Sequence, residues 1–168
     1  AEFREYFDLL ALITKNIPQV LKACREQGLH VAFSSLGYRN DQISDLQQAT
    51  GWSWDLDGID GTYPISWRPI NNEPIFSKPG WSAMSNPDFL KFLEEKGITN
   101  VLIVGCMLDY GISQTSLDLS DMGISSLLIA DAVAALTRAS QDYVSGNLAH
   151  GLIKLRTTAE VLGILERL

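Results

Sequence analysis

Val101-Leu102-Ile103-Val104 restricts the fold more than any other segment of this chain. It is a run of β-favouring apolar residues with no polar alternation. A strand of that kind has both faces buried, as strands have in a parallel sheet covered by helices on either side. Runs of similar character recur at residues 31–35, near 74–77, at 126–130 and at 152–155. Helical patterns separate them.

The first helical pattern is Phe3, Phe7, Leu10, Ile13, Ile17, Leu21 and Cys24, spaced by three or four residues. Asn16-Ile17-Pro18 can restart this helix, with Pro18 in its first turn, and Gly28 ends it. Residues 41–50 read as a second helix closed by Gly51. Asn86-Pro87-Asp88 is a clean helix start: a cap, a proline at the first position and an acid against the helix dipole. That helix runs to Gly97. Further helices are expected at 111–122, ending at Gly123, at 140–150, and at 159–168 behind a Thr157/Glu160 capping box. Helix and strand therefore alternate along the whole chain. The pattern predicts a single α/β domain over residues 1–168, a three-layer Rossmann-like fold with a mostly parallel central sheet flanked by helices.

Composition excludes several classes. At 168 residues, 46% apolar and 20% charged, the chain can build one full core. Its net charge of −7 comes with no basic cluster, which argues against a nucleic-acid partner. No apolar run approaches a membrane span and no signal-peptide pattern opens the chain, so no membrane partner is expected. Cys24 and Cys106 make no disulfide framework, and both read as buried reduced thiols of a cytoplasmic protein. His30 and His150 are too few and too scattered for a zinc site, and neither a metal nor another cofactor is expected.

Residues 51–77 hold three of the four tryptophans among scattered Gly, Asp and Pro, with no surviving period. A connection this long is often functional or a subunit contact. Trp52, Trp54 and Trp67 are the candidate contact residues of a homo-oligomer.

In a parallel sheet of this kind, ligands bind beyond the carboxyl ends of the strands. Three such ends carry chemistry-bearing residues: the loop from Gly105 to Gly111, the Ser77-Lys78 step, and Asp131. The stretch from Gly105 to Asp118 (GCMLDYGISQTSLD) resembles the signature loop of the isochorismatase-like (cysteine hydrolase) superfamily. There a cysteine, six residues after a strand-ending glycine, opens a helix. Gly105, Thr115 and Asp118 match that pattern, and the cysteine position holds Gly111. The segment from Lys78 to Met84 (KPGWSAM) resembles the superfamily's Lys-x-x-x-Ser-Ala-Phe motif, and Asp131-Ala132-Val133-Ala134 resembles its Asp-Ala-x-Ala segment. The likeness covers residues 16–168.

The resemblance implies a catalytic role for Lys78, whose charge lies near the reacting carbonyl or carboxylate. It implies a site for a small-molecule substrate lined by Trp81, Met107, Tyr110 and Gly111, and a structural role for Asp131. Cys106 falls at an apolar position beside the superfamily's usual non-proline cis peptide and reads as a core residue. Three departures bear on function. With Gly111 there is no thiolate to attack a carbonyl. Gly80 stands where isochorismatases proper carry an arginine that helps bind substrate carboxylate; Arg39 and Arg68 are the substitutes to consider. No apolar strand ending in the superfamily's aspartate is visible, so the chain reads as beginning just after the family's first strand, and an additional N-terminal segment is expected in the natural protein.

Two functions follow. One is a hydrolase of the isochorismatase type, in which an acid protonates a vinyl ether, water adds and pyruvate leaves without a covalent intermediate. Asp109 is the only acid of the chain beside the site. The other is a catalytically degenerate family member that binds or assembles. A cysteine-dependent amide hydrolase is disfavoured by Gly111. A nicotinamidase is disfavoured because Leu36-Gly37-Tyr38-Arg39 stands where those enzymes carry Asp-x-His.

Overall fold

Helix α1 (Arg4–Glu26) buries Leu9, Ile13, Asn16, Ile17, Val20, Leu21 and Cys24 along one stripe. The computed structural model describes residues 4–36, 49 and 65–168, and α1 is its longest element. The stripe differs at its start from the sequence expectation. Stepping back four residues from Ile13 gives Leu9, which is buried, whereas Phe7 is 64% exposed. At about 100° of rotation per residue, Phe7, two residues before Leu9, falls about 200° round the helix and so on the side away from the stripe. Pro18 also differs: it sits inside one continuous helix and does not restart it. The missing amide leaves one helical bond unmade, while Ile13, Ile17 and Val20 on either side stay buried. Gly28 closes the helix at φ +66°, a left-handed cap in which Leu29 N donates to Cys24 O at 2.9 Å.

Five strands follow among the described residues, all in parallel pairings. β1 (Phe33–Leu36) pairs with β2 (Ile75–Lys78), placing Phe33 opposite Ile75 and Leu36 opposite Lys78. β3 (Asn100–Cys106), β4 (Ser125–Ala134) and β5 (Ile153–Arg156) form a second ladder with β4 central. β4 runs four residues further than the sequence suggested. Ile103 pairs with Leu128, but Gly105 pairs with Val133, so β4 bulges between them and then resumes. Gly105 meets this irregularity at φ +121°, a conformation open to glycine alone.

Helices cover both faces. α1 and α5 (Thr158–Leu165) pack on one face, where Ile13, Ile17, Val161 and Leu165 meet Phe33, Leu102, Val104 and Ile129. α2 (Pro87–Glu95), α3 (Ser113–Asp121) and α4 (Arg138–Leu148) cover the other. There Phe89, Leu93 and Leu119 meet Ala32, Phe76, Val101 and Ile103, and Leu148 joins Leu128 and Ile153. This is the three-layer α/β architecture that the alternation predicts. Caps fall where expected at Asn86, whose Oδ1 accepts from Asp88 N, and at the Thr157/Glu160 box. α4 starts earlier than expected because Thr137 caps it through Ser140 N. The helix expected at 41–50 lies outside the described residues apart from position 49, as do Trp52, Trp54 and Arg39. Among the described residues, no helix is long and apolar enough to cross a membrane.

Two polar ties fix α1. Asn16 Nδ2 donates to the Asp131 carbonyl at 2.6 Å. Arg25 binds Glu73 through two bonds of 2.8 Å, at the entry to β2. Burial works to raise the Glu73 carboxyl, but hydrogen bonds from Arg25 and Ile70 N outweigh it and hold it below the usual range. Asp131 is structural, as its motif implied. Its Oδ1 accepts from Thr158 N at 2.7 Å and Thr158 Oγ1 at 2.8 Å, pinning the first turn of α5 to β4. Asp131→Ala is expected to lower stability by about 2 kcal/mol, the cost of losing charge-assisted bonds and stranding the buried Thr158 hydroxyl. Urea melts would show this as a lower midpoint with an unchanged slope.

Candidate functional site

Lys78 is the last residue of β2, and it is 9% exposed. Its backbone is held from both directions. Asn86 Nδ2 donates to Ser77 O at 2.6 Å, so the cap of α2 also grips the end of β2. The chain between them is tightened by Ser85 Oγ donating to Ser82 O at 2.6 Å and by Met84 N donating to Ser82 Oγ at 3.1 Å. Lys78 Nζ turns back on this loop and donates to the Trp81 carbonyl at 2.9 Å.

The opposing loop follows β3. A cis peptide joins Cys106 to Met107, and a π-helical turn, Leu108–Ile112, leads into α3. The expected helix from 111 therefore begins as this wider turn. Thr115 couples the two loops. Its Oγ1 donates to Gly111 O at 2.6 Å and accepts from Ala83 N at 2.9 Å. As a result Gly111 stands directly against the lysine. A Cβ at position 111 would lie 2.9 Å from Lys78 Nζ and 3.1 Å from Trp81 O. The ammonium fills the volume that a side chain at 111 would need.

Trp81 and Tyr110, one from each loop, stack with centroids 5.0 Å apart and planes 27° apart. They are 47% and 42% exposed and form an aromatic lip beside Lys78. Met107 is half-buried, and its carbonyl accepts from Tyr110 N and Ile112 N. Lys78, Trp81, Met107, Tyr110 and Gly111 thus come together from the two loops. Asp109 is placed differently from the acid role considered for it. Its carboxylate accepts from Leu136 N and from Ser140 Oγ at 2.6 Å, so it anchors the β4–α4 turn instead of facing the lysine.

Cys106 corrects its reading as a buried core residue: it is exposed, at the end of β3. Its thiol lies among Tyr6 and Lys78. Crowding by the surrounding protein pushes the thiol up, while a hydrogen bond with Tyr6 and the Lys78 charge pull it down. Burial pushes the Lys78 ammonium below the ordinary lysine value, against an opposing pull from Cys106. Among the described residues no ion pair engages Lys78. Tyr6 went unrecognised in the sequence because a lone tyrosine at a helix start carries no motif.

This geometry joins a buried lysine on one strand end to a glycine-opened loop on the next. The chain matches the isochorismatase domain over residues 9–160. It belongs to the isochorismatase family. Solved members and relatives share its fold at low identity. A cysteine hydrolase from Pseudomonas syringae pv. phaseolicola superposes with a TM-score of 0.83 at 20% identity, covering 94% of this chain and 81% of that one. An isochorismatase-like hydrolase from Alkaliphilus metalliredigens gives 0.77 at 17%, covering 91% and 83%. A nicotinamidase/pyrazinamidase from Bacillus subtilis gives 0.72 at 18%, covering 86% and 84%. Within the isochorismatase family, this chain's Gly80 has space for a side chain: a Cβ there would meet Ser85 Oγ at an ordinary 3.5 Å. Arg68, the substitute considered for an arginine at that position, precedes β2, and its carbonyl accepts from Arg25 Nη2 at 3.1 Å.

Two outcomes follow from the Lys78–Gly111 contact. Lys78→Met should be at least as stable as the parent at pH 7, because it removes a buried charge. The folded-state value lies below the unfolded one, so between them the unfolded chain holds the extra proton. The lysine's contribution therefore becomes more favourable as pH rises through that window towards 10.5. Paired denaturation curves at pH 7 and pH 10 should show the variant's relative advantage shrinking. Gly111→Ala should displace Lys78 from Trp81 O and destabilise by about 1–3 kcal/mol through overpacking. A thermal melt measures that loss.

Proposed function

We propose that this chain is a hydrolase of small carboxylic acids that works without a cysteine nucleophile, with the vinyl ether of isochorismate or a related molecule as its substrate. The observation that carries this reading is Lys78: buried, fixed by a main-chain oxygen, and without an ion-pair partner among the described residues. A buried cation left unpaired is costly unless a ligand supplies the anion. A carboxylate bound there would lie under the Trp81–Tyr110 lip, which suits a flat unsaturated ring. Gly111 rules out an acyl-thioester at that position. Vinyl-ether hydrolysis needs none: a proton adds to the terminal carbon, water adds to the carbon bearing the ether oxygen, and the hemiketal breaks to pyruvate and a ring hydroxyl. Lys78 would hold the carboxylate that becomes part of pyruvate.

One set of observations favours a second reading, a family member that binds or assembles without turnover. The Asp109 carboxylate is already taken by Leu136 N and Ser140 Oγ, and no arginine stands at position 80. Pyruvate release from isochorismate, read through lactate dehydrogenase, separates the two. The hydrolase reading expects turnover that falls at least about 100-fold in Lys78→Ala, roughly 2.7 kcal/mol of transition-state stabilisation. Saturable isochorismate binding with no pyruvate supports the second reading.

A further inference from the structure

We propose that Lys78 is an imine-forming amine: its Nζ condenses reversibly with the carbonyl carbon of a small 2-oxo acid, which is then held covalently where the two loops meet. This goes beyond the proposed vinyl-ether reaction and shares only the lysine with it.

Lys78 differs from the other lysines of the chain. Lys15, Lys22, Lys91, Lys96 and Lys154 are all exposed, and Lys22 and Lys91 lie beside Glu26 and Glu95. Lys78 is buried, and desolvated lysines are the ones that give up a proton readily and act as amine nucleophiles. The surroundings supply no counter-ion. Among the described residues no carboxylate pairs with Lys78. Asp109, the acid of the opposing loop, is taken by Leu136 N and Ser140 Oγ. The ionisable groups on the other side are Cys106, at the end of β3, and Tyr6, from the first turns of α1, hydrogen-bonded to each other. Burial pushes both up, so at neutral pH they stand as a thiol and a phenol, not as anions.

The amine is also aimed. Nζ donates to Trp81 O at 2.9 Å, which turns its lone pair away from that carbonyl once the extra proton is lost. Residue 111 closes a second side, where a Cβ would come within 2.9 Å of Nζ. Cys106 is exposed, so the side it occupies is the open one. These walls admit a small carbonyl compound. The condensation itself selects a 2-oxo acid. The ammonium gives up one proton. The Nζ lone pair then bonds to the carbonyl carbon, and a second nitrogen hydrogen passes to the carbonyl oxygen, making a hydroxyl. That hydroxyl takes the first proton and leaves as water, and the nitrogen, keeping one hydrogen, becomes a protonated imine. No oxidant or reductant is needed, and Cys106 and Tyr6 stand where the proton in transit can be carried. The positive charge therefore remains buried. A carboxylate on the carbon next to the imine brings the anion that offsets it, which a simple aldehyde does not.

The experiment incubates the chain at pH 7 with glyoxylate, pyruvate or acetaldehyde in the presence of cyanoborohydride, which reduces a protonated imine to a stable secondary amine. Peptide mass mapping reads the labelled fraction at each lysine, so the exposed lysines serve as references within the same sample. With glyoxylate and pyruvate, Lys78 is expected to label at least about 10-fold faster than the exposed lysines. The preference is expected to be smaller with acetaldehyde and to vanish in urea. Labelling of Lys78 no faster than the exposed lysines would overturn the proposal. A preference that persists in urea would do the same, because it would belong to the local sequence and not to the folded site. An equal preference with acetaldehyde would overturn the choice of a 2-oxo acid. Pyruvate release from isochorismate is measured on an untreated sample. Imine trapping without turnover leaves this site standing and sinks the hydrolase reading, and turnover without trapping does the reverse.

Discussion

The burial of α1 against both ladders is the interaction on which the rest of the molecule depends. Its apolar stripe touches Phe33 from one ladder and Leu102, Val104 and Ile129 from the other. Full burial of an isoleucine such as Ile13 or Ile17 contributes about 1.5–3 kcal/mol, and both are at most 1% exposed. The polar ties work along the same axis. Asn16 reaches β4 and Arg25 reaches the approach to β2, so the helix bridges two ladders that share no direct pairing among the described residues.

That frame brings two strand ends together, and the chemistry of the site follows from how close they come. Lys78 is buried at the cost of a depressed ammonium, and the protein tolerates it because Gly111 leaves the room and Thr115 keeps the two loops in register. Glycine at 111 therefore has a role of its own in this geometry. It is the steric condition for the observed position of the lysine.

Much of this was legible in the residues. The alternation of apolar runs with helical patterns gave the layers, and the Lys78 and Gly105–Asp118 segments gave the family and the two loops that meet at Lys78. What stayed hidden depended on three-dimensional partners. The phase of α1 at its first turn is decided by what covers Leu9, which the neighbouring Phe7 obscures in sequence. Pro18 reads as a helix breaker, but propensity yields to the apolar burial on either side of it. The length of β4 follows from a register shift that no local pattern encodes. β3 is half-buried and Cys106 is exposed, although Val101 to Val104 read in isolation describe a strand buried on both faces. Asp109 looked available because sequence places it beside Gly111. Only the fold brings Ser140 within reach of it.

The lysine takes its position from a carbonyl oxygen of residue 81, an atom that every amino acid supplies. The indole of Trp81, by contrast, points into the exposed lip with Tyr110. One residue therefore serves two separable purposes, the first through its main chain and the second through its side chain. The ring that would meet a substrate can be exchanged while the charge stays in place. Selectivity and charge placement can then diversify independently within this scaffold.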